Sequence, residues 1–250
     1  MHKVLWRKSL WITLPLAALV LLGFQKAAKA PEPTDPIVAG LAKSTVASIA
    51  DAVDQITGSR GYMNFDMRPV AGNQLAGRAI TALVRPAPPS VSTPAVATKH
   101  SVEMIDNAKP GEVGVILMEG SLDVAAIGGL MGTAAKSRGM AGMVIDGATR
   151  DVLELRAMGL PVFARSISPG TAVGRFATVA KNIEVQCGGV AVRPGDIIIG
   201  GEDGVVVVPQ EKEKEILARA REIDERETKM VPFIQKFKSL SQAIAQFNRI

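Results

Sequence analysis

The chain predicts an α/β fold with a parallel βαβ core and a second, small antiparallel layer. Three observations carry this. From Gly128 to Ala164, strand-length apolar runs alternate with helix-patterned stretches joined by short turns, which implies parallel strands with crossover helices. Beyond Ala164 the pattern changes to short β runs separated by glycine turns, the signature of antiparallel pairing. Apolar residues make up 47% of the chain and aromatics only 4%, which fits a core built from Val, Ile and Ala.

The first thirty residues predict an export signal. Lys3, Arg7 and Lys8 precede an apolar run from Leu10 to Phe24, and Ala28-Lys29-Ala30 supplies an A-x-A cleavage pattern. Pro31 disfavours cutting there, so a retained N-terminal anchor is the alternative. Either way the chain is expected to be exported, either periplasmic or held at the membrane. Residues 31–36 form a proline-rich linker. Residues 37–230 form the folded domain, and residues 231–250 an amphipathic C-terminal extension with Phe233, Phe237, Leu240, Ile244 and Phe247.

Within the domain, Ile37–Gly58 has apolar residues at helical spacing and a glycine stop. Met63–Val70 is irregular. Gln74–Arg85 suits a strand bent at Gly77. Pro86–Pro94 is a loop, Ala95–Ala108 a helix, and Val113–Met118 a buried strand. The central stretch then gives a helix at Leu130–Arg138, a strand at Ala141–Asp146 and a turn at Gly147. A second helix opens with Arg150-Asp151, and Pro161–Ala164 forms the next strand. Ile183–Val192, Asp196–Gly200 and Gly204–Val208 are the antiparallel runs, assigned to the second layer. Gln210–Lys229 is a charged helix.

The strand-to-helix turns of a parallel sheet gather at the carboxyl ends of its strands, where ligands bind. Gly128–Met131 and Arg150-Asp151 are therefore expected side by side. Each has an ordinary reading: an acid in the first helical turn complements the helix dipole, a double glycine is a plain loop, and Glu154 is a solvated carboxylate or an i,i+4 partner of Arg150.

Composition narrows the chemistry. The net charge of +5 comes from five bases in the first thirty residues. The other 24 bases balance 24 acids, so no nucleic-acid footprint is expected. The histidines are His2 and His100, and Cys187 is the single cysteine, which leaves no zinc ligand set and no disulfide. His100 has no nucleophile signature near it for a catalytic triad. A metal would have to take oxygen ligands, which favours Mg²⁺ or Mn²⁺. A Schiff-base route would need Lys136 or Lys181.

The stretch GGLMGTAAKSRGMAGMVIDGATRDVLE, followed by PVFARSISP and VAVRPGDIIIGGEDGVVVVP, resembles the RraA-like family from about Val46 to Glu227. That family holds class II aldolases acting on 4-hydroxy-4-methyl-2-oxoglutarate and related acids, and non-catalytic regulators of ribonuclease E. The resemblance implies a layered β/β/α swivelling-domain fold assembled as a homotrimer or homohexamer. It implies that the amides of Gly128, Gly129, Leu130 and Met131 receive the substrate carboxylate, that Arg150 contacts substrate, and that Asp151 binds the metal. Many catalytic members carry aspartate where this chain has Gly129. A second family pattern, Gly129…Arg150-Asp151…Glu154, moves that carboxylate to Glu154. A glutamate from a neighbouring subunit corresponds to Glu227, or to Glu225. The implied activity is Mg²⁺- or Mn²⁺-dependent aldol cleavage releasing pyruvate, with oxaloacetate decarboxylation as a side activity. The alternative is a non-catalytic binding protein on the same scaffold.

Overall fold

A computed structural model describes residues 35–248. The expected signal segment, and the linker up to residue 34, lie outside the described residues. The chain begins with α1 (Pro36–Leu41), where Pro36 sits at the first helical position and Asp35 accepts hydrogen bonds from the Ile37 and Val38 amides. α2 (Val46–Thr57) follows, ended by Gly58 at φ 70°. The single helix expected here is broken in two, because Thr45 adopts an extended conformation and caps a new start through the Ser48 amide.

The strands and crossovers come next: β1 (Arg68–Ala71), β2 (Leu75–Pro86), α3 (Pro94–Ala97), α4 (Lys99–Asp106), β3 (Val113–Met118), β4 (Ala125–Ile127), α5 (Gly129–Ser137), β5 (Gly142–Thr149), α6 (Val152–Ala157) and β6 (Val162–Ile167). Then come β7 (Phe176–Lys181), β8 (Val185–Cys187), β9 (Val190–Val192), β10 (Ile197–Gly201), β11 (Gly204–Val208), α7 (Glu213–Phe237) and α8 (Leu240–Phe247). The main sheet has the order β1-β6-β5-β3-β2-β10-β11, with β4 on β5 and β7 on β2. Its β2-β3-β5-β6 heart is parallel, as the alternating pattern predicts. β8 and β9 form the separate antiparallel pair.

Three apolar clusters hold this together. One lies between the parallel strands and α4–α6, with Ile116, Met143, Ile145 and Leu155 at its centre. A second lies on the other face, where Phe163 and Val144 meet β8–β9 and β10–β11. A Cβ on Gly200 would come within 2.9 Å of the Phe163 ring, so glycine lets the two parts of the sheet close on each other. The third cluster packs α1, α2 and α7 onto the outer face of β10–β11.

Further local expectations change. β10 and β11 are antiparallel, but β10 pairs with the first half of β2, so both continue the main sheet. Their apolar runs, IIIGG and GVVVV, are buried on both faces and mark strands without marking which sheet they join. Gly77 is in register with Ile198, and its missing side chain accommodates Gly111 O, which a Cβ would meet at 2.2 Å. Gly147 makes no turn: β5 runs through it to Thr149, with a register irregularity between Ile145 and Ala148, because β4 pairs alongside that end. The charged helix begins at Glu213 and runs on through Pro232 to Phe237, so it crosses the 230/231 boundary.

Candidate functional site

β4 pairs with the last residues of β5, Ala125 against Ala148 and Ile127 against Thr149. The Arg150 amide then donates to Ile127 O at 3.1 Å. These bonds bring two strand ends together, so the glycines that follow β4 meet the Arg-Asp pair that follows β5. β4 itself was not foreseen; its only signal is the three-residue apolar run AAI.

The contact is close. Asp151 Oδ2 accepts a hydrogen bond from the Gly129 amide at 2.8 Å. Asp151 stands in the left-handed region at φ 54°, ψ 43°, a conformation that asparagine and aspartate tolerate best among residues with a side chain. It makes no side-chain cap on its own helix, α6. Its carboxylate instead satisfies the first amide of α5. Arg150 Nε lies 3.7 Å from the same oxygen, and both side chains are about two-fifths exposed. A pair this wet adds little to stability, on the order of 0–1 kcal/mol.

The glycines differ. A Cβ on Gly128 would fall 2.4 Å from Asp151 Oδ2 and 3.0 Å from Arg150 Cγ, so glycine is required there for close approach. A Cβ on Gly129 would meet nothing closer than 3.6 Å, with Asp151 and Glu154 Cβ both at 3.7 Å. Glu154 thus borders the space that a side chain at position 129 would enter. The Leu130 and Met131 amides lie in the first turn of α5, where a helix offers no internal acceptor. Leu130 and Leu153 stand at the rim, 90% and 78% exposed.

The structure therefore gathers Gly128, Gly129, Leu130, Met131, Arg150, Asp151 and Glu154 at the carboxyl end of the parallel strands. It does not bring Glu227 or Glu225 there within one chain. Thr45, next to Asp224 on α7, lies where β10 ends, and β10 runs antiparallel to β2, so these glutamates sit toward the opposite end of the sheet. Lys136 donates to Gly159 O, and Lys181 is paired with Glu103 at 2.9 Å. Both lysines are held by structural partners.

Among the described residues no group of three His, Cys, Asp or Glu side chains converges as a metal cage. Asp151, with Glu154 beside it, offers one or two carboxylates. That donor set fits a hard divalent ion that keeps several of its waters.

Sequence reasoning also missed a partly buried ion network, in which only Asp146 is buried. Arg165 bridges Asp146 and Asp66 at 2.9 Å each, and Asp146 Oδ2 accepts from the Gly188 amide. Cys187 beside it is fully buried; burial pushes its thiol pKa well up, so it is no nucleophile.

A family model described as RraA-like, Aldolase/RraA, matches residues 46–207. Over 119 residues the chain is 41% identical to an uncharacterized protein of Methanocaldococcus jannaschii, covering 47% of this chain and 56% of that one. Over 118 residues it is 39% identical to a Halalkalibacterium halodurans protein named "Putative 4-hydroxy-4-methyl-2-oxoglutarate aldolase", covering 46% and 54%. The matched stretch thus spans about half the length of these curated relatives. Among solved structures, an uncharacterized Pseudomonas syringae protein superposes with a TM-score of 0.76 at 26% identity, over 87% of this chain and 97% of that one. Streptomyces coelicolor RraAS2, described as an unusual member of the RNase ES inhibitor RraA protein family, gives 0.70 at 26% identity, over 79% and 96%.

Proposed function

Because the chain belongs to the RraA-like family, we propose that it is a metal-dependent lyase that releases pyruvate from 2-oxo acids of the 4-hydroxy-4-methyl-2-oxoglutarate type, with oxaloacetate decarboxylation as a second activity. One observation carries the reading: the Asp151 carboxylate and the Arg150 guanidinium stand directly against the first turn of α5. A cation-binding acid, an anion-binding guanidinium and free helix amides then share one open surface site.

The residues divide the work as follows. The Leu130 and Met131 amides, helped by the helix dipole, bind the substrate carboxylate. Cleaving the bond beyond C3 leaves negative charge on the 2-keto oxygen, and Arg150 pairs with that charge as it develops. Asp151 would hold the ion, with Glu154 as a second carboxylate; Mg²⁺ or Mn²⁺ supplies Lewis-acid polarisation of the keto oxygen. Glu154 is also the carboxylate placed to take the C4 hydroxyl proton as the C3–C4 bond breaks, so that C4 leaves as a carbonyl, and to return a proton to C3 of the enolate to give pyruvate. Assembly into a trimer or hexamer, with Glu227 or Glu225 of another copy completing the site, belongs to the same proposal, as does export.

The test is a panel of 2-oxo acids assayed for pyruvate with Mg²⁺, with Mn²⁺ and with EDTA, on the wild type and on Asp151→Ala. The expected result is metal-dependent release that EDTA and the substitution both abolish. Turnover that survives EDTA would overturn the metal's role. Absence of turnover on every acid, together with specific capture of a protein partner, would instead favour the inhibitor role named for RraAS2.

A further inference from the structure

The amphipathic extension does not take part in the proposed chemistry, and it ends in a tip with its own character. α7 runs beyond the residues that anchor it to the sheet, the last of them Ile223 in the third cluster, and turns back into α8 at Lys238, which lies at φ 52°. Ser239 caps α8 by accepting from the Gln242 amide. α8 packs on α7 through Phe233, whose ring centroid lies 4.5 Å from Phe237 and 5.6 Å from Phe247. Arg226 pins the end of α8 by donating to Asn248 O. The hairpin is therefore built, yet at its tip Phe237 is 47% exposed and Leu240 51%. Lys236 and Lys238 interleave with them, and Lys236 Nζ lies 5.0 Å from the Phe237 ring centre.

The charge distribution says what covers this tip. All 24 acids lie between residues 31 and 227, together with 20 of the 29 bases. Residues 228–250 hold Lys229, Lys236, Lys238 and Arg249 and no acid. The rest of the chain from residue 31 is thus net acidic, and the part of the hairpin beyond Glu227, which includes the tip, carries only positive side chains. A second copy meeting the tip head-on would bring like charges together at an apolar contact, which is costly. An anionic lipid surface meets both demands: lysines at the headgroups and Phe237 and Leu240 in the acyl boundary. No helix among the described residues is long and apolar enough to cross a membrane, so this contact would be interfacial.

We propose that the α7–α8 tip, Lys236-Phe237-Lys238-Ser239-Leu240, is a docking site for an anionic lipid bilayer surface. This does not depend on the catalytic reading or on the first thirty residues. The experiment uses the full chain carrying Ser241→Cys labelled with an environment-sensitive fluorophore; Cys187 is buried and does not compete for label. The probe reports the tip alone, whatever the N-terminal segment does.

Vesicles containing phosphatidylglycerol should blue-shift the emission, and pure phosphatidylcholine vesicles should not. Each lysine near an anionic surface contributes about fivefold in partitioning, so K236Q/K238Q should weaken the response about 25-fold. Phe237→Ser with Leu240→Ser should abolish the shift. An unchanged spectrum on anionic vesicles would overturn the proposal, even if the protein sediments with them. So would a shift without vesicles that grows with protein concentration, which would assign the tip to a second copy.

Discussion

Gly128→Ala tests the central geometry most directly. The added Cβ lands 2.4 Å from Asp151 Oδ2. A relaxed C···O contact is about 3.3 Å, so the carboxylate must retreat by about 0.9 Å. That stretches its 2.8 Å bond to the Gly129 amide beyond hydrogen-bonding range. Losing a half-exposed, charge-assisted bond costs about 1 kcal/mol of stability. The larger effect is on turnover, because a misplacement of about 1 Å costs on the order of 100-fold. Gly129→Ala is the paired control for stability. Its Cβ meets nothing within 3.6 Å, and alanine is favoured over glycine in a helix by about 0.5–1 kcal/mol, so that variant should be as stable as the wild type or more so. Urea unfolding of both variants, with pyruvate release measured for Gly128→Ala, decides the matter. A Gly128→Ala protein with wild-type turnover, or a Gly129→Ala protein destabilised equally, would refute the reasoning.

Arg165→Met leaves the nearly buried Asp146 carboxylate without its partner, and should cost about 3 kcal/mol in urea unfolding at pH 7. Gly77→Ala drives a Cβ to 2.2 Å from Gly111 O, a backbone atom that cannot swing aside. It should destabilise by about 2–3 kcal/mol, read from the same curves. Hydrogen bonds to Glu103, first from Lys181 and then from His100, pull its carboxyl from 4.5 to about 2. A depressed acid contributes stability above its unfolded value, and loses it as pH falls from 4.5 toward 2. Glu103→Gln should therefore lower stability at neutral and higher pH, leave it unchanged near pH 2, and so flatten the acid limb of the profile in that window. Calorimetric melting across pH 2–7 would show it.

Much of this was legible in the residues themselves. Apolar run length and spacing marked β2, β3, β5 and β6 and the crossovers between them, because a buried parallel strand needs a continuous apolar run. Gly128-Gly129 and Arg150-Asp151 could be placed together from topology alone, since strand-to-helix turns share one end of a parallel sheet. The chain could not show that β10 would join β2, because its continuous apolar run fits either sheet. Nor could it show that Gly147 stays within a strand, since a glycine conformation that allows a turn also allows an irregularity beside β4. The network of Arg165, Asp146 and Asp66 joins residues up to 99 positions apart and leaves no local pattern.

Sequence by itself determined the parallel core, the two turns that meet at its carboxyl end and the cationic character of the tail, all set by local spacing and composition. Tertiary structure decided which sheet the last strands extend, that Asp151 turns away from its own helix to cap its neighbour's, and that the tail folds into a hairpin with an exposed tip. Those outcomes depend on contacts between residues far apart in the chain, and such contacts are fixed only when the whole core closes.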